Sequence, residues 1–165
     1  MAALTVMVTG GGAPGIAGTI YSLRENWDRR PIRIVCTDMS DDVVGRYLSD
    51  GCFRVPAARD PGFAESIARL CEREGVDVIV PQVTAELPVL AAHKAELEES
   101  GVRVAVSDTA AIQSTVDKYA LALHAASLGV AVPDCVLVDR FDALERAARD
   151  LGYPRTPFAV KQPSS

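Results

Sequence analysis

The chain is poor in the residues that most often hold metals or move protons. It has only two histidines, His93 and His124, and its four cysteines, Cys36, Cys52, Cys71 and Cys135, never stand in a CxxC spacing. A zinc centre is therefore not expected, and the cysteines read as buried free thiols rather than as a disulfide framework. His124 falls on the apolar side of a helical pattern and reads as a packed core histidine. His93 and Lys94 read as part of a solvated helix face. Basic clusters are also missing: Arg29, Arg30 and Arg33 form the densest run in a chain of net charge -5. That argues against a nucleic-acid partner or an anionic membrane surface. No apolar run approaches the roughly 18 residues of a membrane span, and Met1–Gly10 lacks the basic start of a signal peptide. A cytoplasmic location is the simplest expectation.

What the chain does have is an organised opening. Leu4, Val6 and Val8 form an apolar run that meets Gly10-Gly11-Gly12-Ala13-Pro14-Gly15 and then a helical stripe of Ile16, Ile20, Leu23 and Trp27. A strand, a tight glycine turn and a helix start follow from that pattern. Such a unit opens an α/β domain whose ligands bind at the carboxyl edge of the sheet.

The alternation continues. Ile32–Cys36 reads as a second strand, ending at Thr37 and Asp38. A short helix is expected over Val43–Leu48 and a third strand over Cys52–Val55. Asp60-Pro61 opens a helix whose inward face is Phe63, Ile67, Leu70 and Cys71 and whose stop is Gly75. Val76–Val80 is nearly continuous in apolar residues, as in a parallel strand covered on both faces. After it, Pro81-Gln82-Val83-Thr84-Ala85-Glu86 leads into a helix with Leu87, Leu90, Ala91 and Leu97 inward and Gly101 as its end. Thr84 reads as a helix cap and Glu86 as an acid suited to the helix dipole, and both fall at the same sheet edge as the glycine turn. Val102–Val106 gives one more strand, and Ser107 and Asp108 cap a helix through Ile112. Alternating strands and helices specify a Rossmann-like, doubly wound parallel sheet over residues 1–112.

Residues 113–165 read as the start of a second, α+β unit. Asp117 caps a helix carrying Leu121, His124, Ala125 and Leu128, with Gly129 as its end. Strands are expected over Cys135–Val138 and Phe158–Lys161, around a helix with Phe141, Leu144, Ala148 and Leu151 that stops at Gly152. The last strand has nothing after it to pair with, so the chain reads as a fragment cut within this unit. Lys118 places a cation at the positive end of a helix dipole, a position that a bound anion would favour.

Together these segments resemble the ATP-grasp superfamily, in particular its carbamoyl phosphate synthetase-like members. The matching stretches are VTGGGAPG, VGRYLSDGCFRVP, VDVIVPQVTAELPVLA, Asp117-Lys118 ahead of Leu128-Gly129-Val130, Val132-Pro133, and Leu151-Gly152-Tyr153-Pro154 before Ala159-Val160-Lys161. The resemblance implies a pre-ATP-grasp domain over residues 1–112 and the truncated amino-terminal part of an ATP-grasp domain over 113–165. It implies a ligase that uses ATP and Mg2+ to activate a small-molecule carboxylate as an acyl phosphate, which an amine or other nucleophile then attacks. By the same resemblance Lys118 and Lys161 contact ATP, Gly11, Gly12, Thr84 and Glu86 border the substrate, Ser164-Ser165 begin the loop over the phosphates, and the magnesium ligands and catalytic groups lie beyond residue 165. The fragment alone is expected to be inactive, and a homodimer is compatible with the family.

Two other readings stand beside it. Gly10, Gly12 and Gly15 fit GxGxxG, and Asp38 lies where a dinucleotide fold places its ribose-binding acid, so an NAD(P)-binding oxidoreductase domain is the first alternative. Against it, none of Tyr21, Tyr47, Tyr119 and Tyr153 has a lysine four residues on. The second alternative is a non-catalytic module whose glycine turn senses an anionic ligand.

Overall fold

The computed structural model describes residues 3–163, which divide into two compact units with the boundary between Ile112 and Gln113. The first unit is an α/β layer structure. Its strands are β1 (Leu4–Thr9), β2 (Ile32–Asp38), β3 (Gly51–Arg54), β4 (Val78–Val80) and β5 (Arg103–Val104). They form a five-stranded sheet in the order β3-β2-β1-β4-β5, and every neighbouring pair is parallel. The doubly wound sheet expected from the alternation is thus the one formed.

Side chains leave alternate faces of a strand, and β1 shows the consequence. Val6 and Val8 join Ile34 and Cys36 of β2 under α1 (Ile16–Arg24), whose Ile16 and Ile20 are buried there. Met7 faces the other way, into a cluster with Ile79, with Phe63, Ile67, Leu70 and Cys71 of α3 (Phe63–Glu74), and with Leu90 and Leu97. Met7, Val8, Ile34, Ile67, Ile79 and Phe63 have no solvent exposure at all. Full burial of such side chains stabilises by about 1.5–3 kcal/mol each.

Several elements end where local hydrogen bonds, rather than periodicity, dictate. α1 stops at Arg24 because Asn26 builds the next turn: its side-chain amide donates to Leu23 O and Arg30 O, and its oxygen accepts from the Arg30 amide at 2.7 Å. Trp27, expected on the inward stripe, therefore lies past the helix and is 95% exposed. It follows the helix end away from the glycine turn, so it is no reporter for that turn. The helix before the third strand, α2 (Gly45–Leu48), is shorter than expected, and β3 begins one residue earlier than expected at the same length. α3 begins three residues after Asp60, whose carboxylate accepts from the Gly62 amide at 2.8 Å, and ends at Gly75 in the left-handed conformation, as its sequence signals.

The helix expected from Leu87 to Gly101 is two: α4 (Leu87–Ala92) and α5 (Lys94–Glu99), broken at His93. Lys94 is not part of a solvated face. Its ammonium donates to the carbonyl of Val106 at 2.7 Å in a partly buried site. α6 (Thr109–Val116) opens at Asp108, whose carboxylate accepts from Ala111 N at 2.7 Å, and runs past Ile112 across the boundary between the units.

The second unit holds α7 (Lys118–Ser127) and α8 (Phe141–Asp150). Among its described residues there is no strand: Cys135–Val138 and Phe158–Lys161 carry no regular secondary structure. A strand exists only as part of a hydrogen-bonded pair, and neither segment has a partner here. α7 buries no residue, so His124 is exposed rather than packed. Cys135 is exposed too, whereas Cys36 and Cys71 are buried free thiols and Cys52 is half-buried. α8 buries Ala147 and Ala148, while Phe141 remains 75% exposed. Among the described residues no helix is long and apolar enough to cross a membrane.

Gly10 and Gly11 of the turn pack where a larger residue would collide. A Cβ on Gly11 would lie 2.6 Å from Cys36 Sγ. We therefore expect Gly11→Ala to cost about 1–3 kcal/mol in urea unfolding, and Cys36→Ala to return part of that loss in the double variant. Additive losses would show that the clash is not with the sulfur.

Candidate functional site

The order of the strands reverses direction at β1, with β2 and β3 on one side and β4 and β5 on the other. The loops that leave β1 and β4 therefore open at the carboxyl edge between them, the position at which open α/β sheets bind ligands. Gly10 makes the first turn possible. It has φ 68°, and a Cβ there would overlap Val83 of the loop after β4. The loop after β4 is also tied to α1, where Thr19 Oγ1 donates to Gln82 Oε1 at 2.8 Å.

The amides of the glycine turn are largely used within the protein. Gly11 N donates to Thr37 O at 2.9 Å, Gly12 N to Asp38 Oδ2 at 2.9 Å, and Ala13 N to Gly10 O at 2.8 Å. Gly11 is buried and its carbonyl accepts from Gly45 N at 2.9 Å, whereas Gly12 is exposed. Asp38 also accepts from Ser40 N at 2.9 Å through its other oxygen. The acid that a dinucleotide fold would present to a ribose is here tied to the backbone of two loops.

Glu86 and Thr84 sit on one 3₁₀ turn after β4 but face differently. Thr84 is exposed and makes no capping hydrogen bond, so it does not cap the helix as its sequence suggests. Glu86 is 7% exposed, and the hydroxyl of Thr9 donates to its carboxyl in a short hydrogen bond. Burial raises its pKa above the ordinary 4.5, the Thr9 hydrogen bond opposes that rise, and the charge of Asp38 adds to it. This is a desolvated acid, not one merely placed for a helix dipole. Thr9 and Thr37 are register partners at the ends of β1 and β2 and are both fully buried. The Thr37 hydroxyl has no hydrogen-bond partner. Sequence reasoning did not single out this threonine pair. Its signal is a threonine closing each of two adjacent strands, just as Glu86 stands four residues before inward Leu90.

In the second unit, the positive end of α7 already has its anion. Asp117 Oδ1 accepts from Tyr119 N and Ala120 N, each at 2.8 Å, which offsets the neighbouring Lys118 charge. The Lys118 amide donates to Pro163 O at 2.8 Å, so the backbone at Lys118 lies against the segment two residues after Lys161. Both lysine side chains are exposed. Ser164 and Ser165 lie outside the described residues. Among the described residues no group of three or more His, Cys, Asp or Glu is placed to hold a metal ion.

The five-stranded parallel sheet with its flanking helices matches in fold the Rossmann-like domain that precedes the ATP-grasp fold in ATP-grasp enzymes. Solved structures carry the same fold. An N5-carboxyaminoimidazole synthetase from Staphylococcus aureus complexed with ADP matches with TM-score 0.60 and 21% identity, over 92% of this chain and 36% of its own. Glycinamide-RNase-transformylase T from Mycobacterium tuberculosis gives TM-score 0.57 and 19% identity, over 91% of this chain and 40% of its own. The biotin carboxylase domain dimer of 2-oxoglutarate carboxylase from Hydrogenobacter thermophilus, in complex with MgADP, ADP and bicarbonate, gives TM-score 0.55 and 20% identity, over 91% and 33%. This chain thus spans between 33% and 40% of the length of these structures. No curated protein matches the sequence. The chain belongs to the PylC-like N-terminal domain family, whose model matches residues 6–105. The resemblance to the ATP-grasp superfamily seen in the sequence holds at the level of fold and family.

Because the folded state holds the Glu86 proton above pH 4.5, where the unfolded chain releases it, Glu86 makes stability fall as pH rises through that window. Glu86→Gln keeps an acceptor for Thr9 and removes the ionisation, so thermal melts across that range should show a flatter slope than the parent chain. Glu86→Ala should cost about 1–3 kcal/mol by stranding the Thr9 hydroxyl. An unchanged slope in Glu86→Gln would mean that Glu86 does not titrate abnormally.

Proposed function

We propose that this chain is the amino-terminal part of an ATP-dependent carboxylate–amine or carboxylate–thiol ligase, or of a carbamoyl phosphate synthase-like enzyme, that works through an acyl phosphate. In this reading residues 1–112 are the pre-ATP-grasp domain and residues 113–165 begin the ATP-grasp domain. The observation that carries it is the 2.8 Å bond from Lys118 N to Pro163 O, which draws together the two backbone segments that bear Lys118 and Lys161. Family membership and the ADP-bound relatives support it.

ATP supplies the phosphoryl group that activates the carboxylate. Lys118 and Lys161 meet its phosphates through their ammonium groups; at α7 the backbone amides of Lys118, Tyr119 and Ala120 are already bonded within the unit. Such charge-assisted hydrogen bonds contribute about 1.5–3 kcal/mol each. In this reading Mg2+ accompanies the bound ATP. Exposed Leu123, Leu128, Val130, Phe141 and Val160 give the second unit an apolar surface that the rest of the lobe covers.

At the carboxyl edge of the first unit, exposed Gly12 and Thr84 border the substrate, while buried Gly11 and Glu86 shape the turn and the strand ends behind them. The substrate is a small carboxylic acid, its partner an amine or other nucleophile, and the enzyme is cytoplasmic. The NAD(P) alternative is disfavoured by Asp38, whose two oxygens already accept from Gly12 N and Ser40 N.

The test is ADP release by the complete protein with MgATP and a panel of carboxylic acids. Lys118→Ala and Lys161→Ala should each lower kcat/KM for ATP by about ten- to a hundredfold, while thermal stability stays near that of the parent. Residues 1–165 alone should release no ADP. Wild-type turnover in both lysine variants, or turnover by residues 1–165, would overturn the assignment.

A further inference from the structure

Two of the four thiols stand side by side. Cys36 of β2 and Cys52 of β3 are register partners on neighbouring parallel strands, so their side chains leave the same face of the sheet. Both belong to the apolar cluster under α1, Cys36 at its centre and Cys52 at its margin. Adjacent strands run about 4.7–4.9 Å apart, within the roughly 4.4–6.8 Å that separates Cα atoms across a disulfide. Cys71 is in the cluster on the opposite face, and Cys135 is in the second unit.

Access is graded across the pair. Cys36 has no solvent exposure, whereas Cys52 is half-buried on β3, which is the outermost strand on its side of the sheet. Cys36 Sγ is also the atom against which two glycines pack. A Cβ on Gly11 would come to 2.6 Å from it, and one on Gly45 to 2.5 Å. Gly45 N in turn donates to Gly11 O at 2.9 Å, so the sulfur lies beneath the one hydrogen bond that joins these two glycines.

We propose that Cys36 and Cys52 are a cross-strand dithiol, a modification site that a low-molecular-weight disulfide converts to an intramolecular disulfide, and that its closure loosens the packing of the glycine turn on Gly45. The first step falls to Cys52, the more accessible thiol, whose pKa burial raises and the nearby Arg46 charge only partly offsets. It attacks one sulfur of the external disulfide, forms a mixed disulfide and expels one small thiolate. Cys36, whose pKa burial pushes up to about 12, then loses its proton as it attacks the Cys52 sulfur and expels the second small thiolate. The protein loses two protons and two electrons, and the external disulfide takes them up to become two thiols. The new bond of about 2.05 Å brings the sulfurs closer than non-bonded contact and draws Cys36 Sγ away from Gly11 and Gly45. Parallel neighbours hold their Cβ atoms near or beyond the upper end of the range for an unstrained disulfide, so the bond should be readily reduced. This inference does not depend on the enzymatic reading given above.

The test is to treat the full chain with oxidised glutathione and follow intact mass, peptide mapping and amide hydrogen exchange. The expected result is loss of two hydrogen masses, a Cys36–Cys52 linked peptide, reversal by dithiothreitol, and faster exchange at Gly45 after oxidation. Cys52→Ser and Cys52→Ala should leave Cys36 unmodified and exchange at Gly45 unchanged, with both variants folded by circular dichroism. A stable glutathione adduct on Cys52 without ring closure, a link to Cys71 or Cys135, or no reaction would overturn the site. A Cys36–Cys52 bond with unaltered exchange at Gly45 would overturn the coupling to the glycine turn.

Discussion

The first unit depends on one constraint: β1 must be dry on both faces and paired on both edges. Its backbone runs parallel to β2 along its whole length and to β4 along Val6–Val8. Met7 and Val8 are fully buried against opposite helical layers. A strand with no solvated face and no open edge cannot slip by a residue without exchanging its two apolar sets. Register fixed at β1 then fixes where both central loops leave the sheet, and therefore where a ligand can sit.

The glycine turn follows from the same constraint. Only one of its glycines, Gly10, takes a left-handed conformation. Gly11 is needed instead because Cys36 lies beneath it, and Gly45 because that sulfur and the Gly11 backbone leave no room for a side chain. The turn is thus selected by close packing as much as by backbone freedom. That is why a glycine pattern alone could not tell a phosphate cradle from a packed corner.

Much of the fold was legible because burial writes itself into periodicity. The continuous apolar runs at β1, β2 and β4, the Phe63-Ile67-Leu70-Cys71 face of α3 and its stop at Gly75 all carry direct signals. What periodicity could not convey were events set by single polar groups. Asn26 ends α1 before Trp27, and Lys94 reaches Val106 O instead of water. At the site, Glu86 was named from the sequence, but its burial was not legible, since it depends on Thr9 of a distant strand. The unpaired segments near Cys135 and Phe158 have the composition of strands. Composition states a preference, and a ladder needs a neighbour.

Asp38 carries one more consequence. By holding the amide of Gly12 with one oxygen and that of Ser40 with the other, it works as a brace between the loops that follow β1 and β2. A carboxylate occupied in bracing is withdrawn from recognition. This scaffold has exchanged a discriminating contact for rigidity, and descent toward a dinucleotide-selective domain would first have to find another strut.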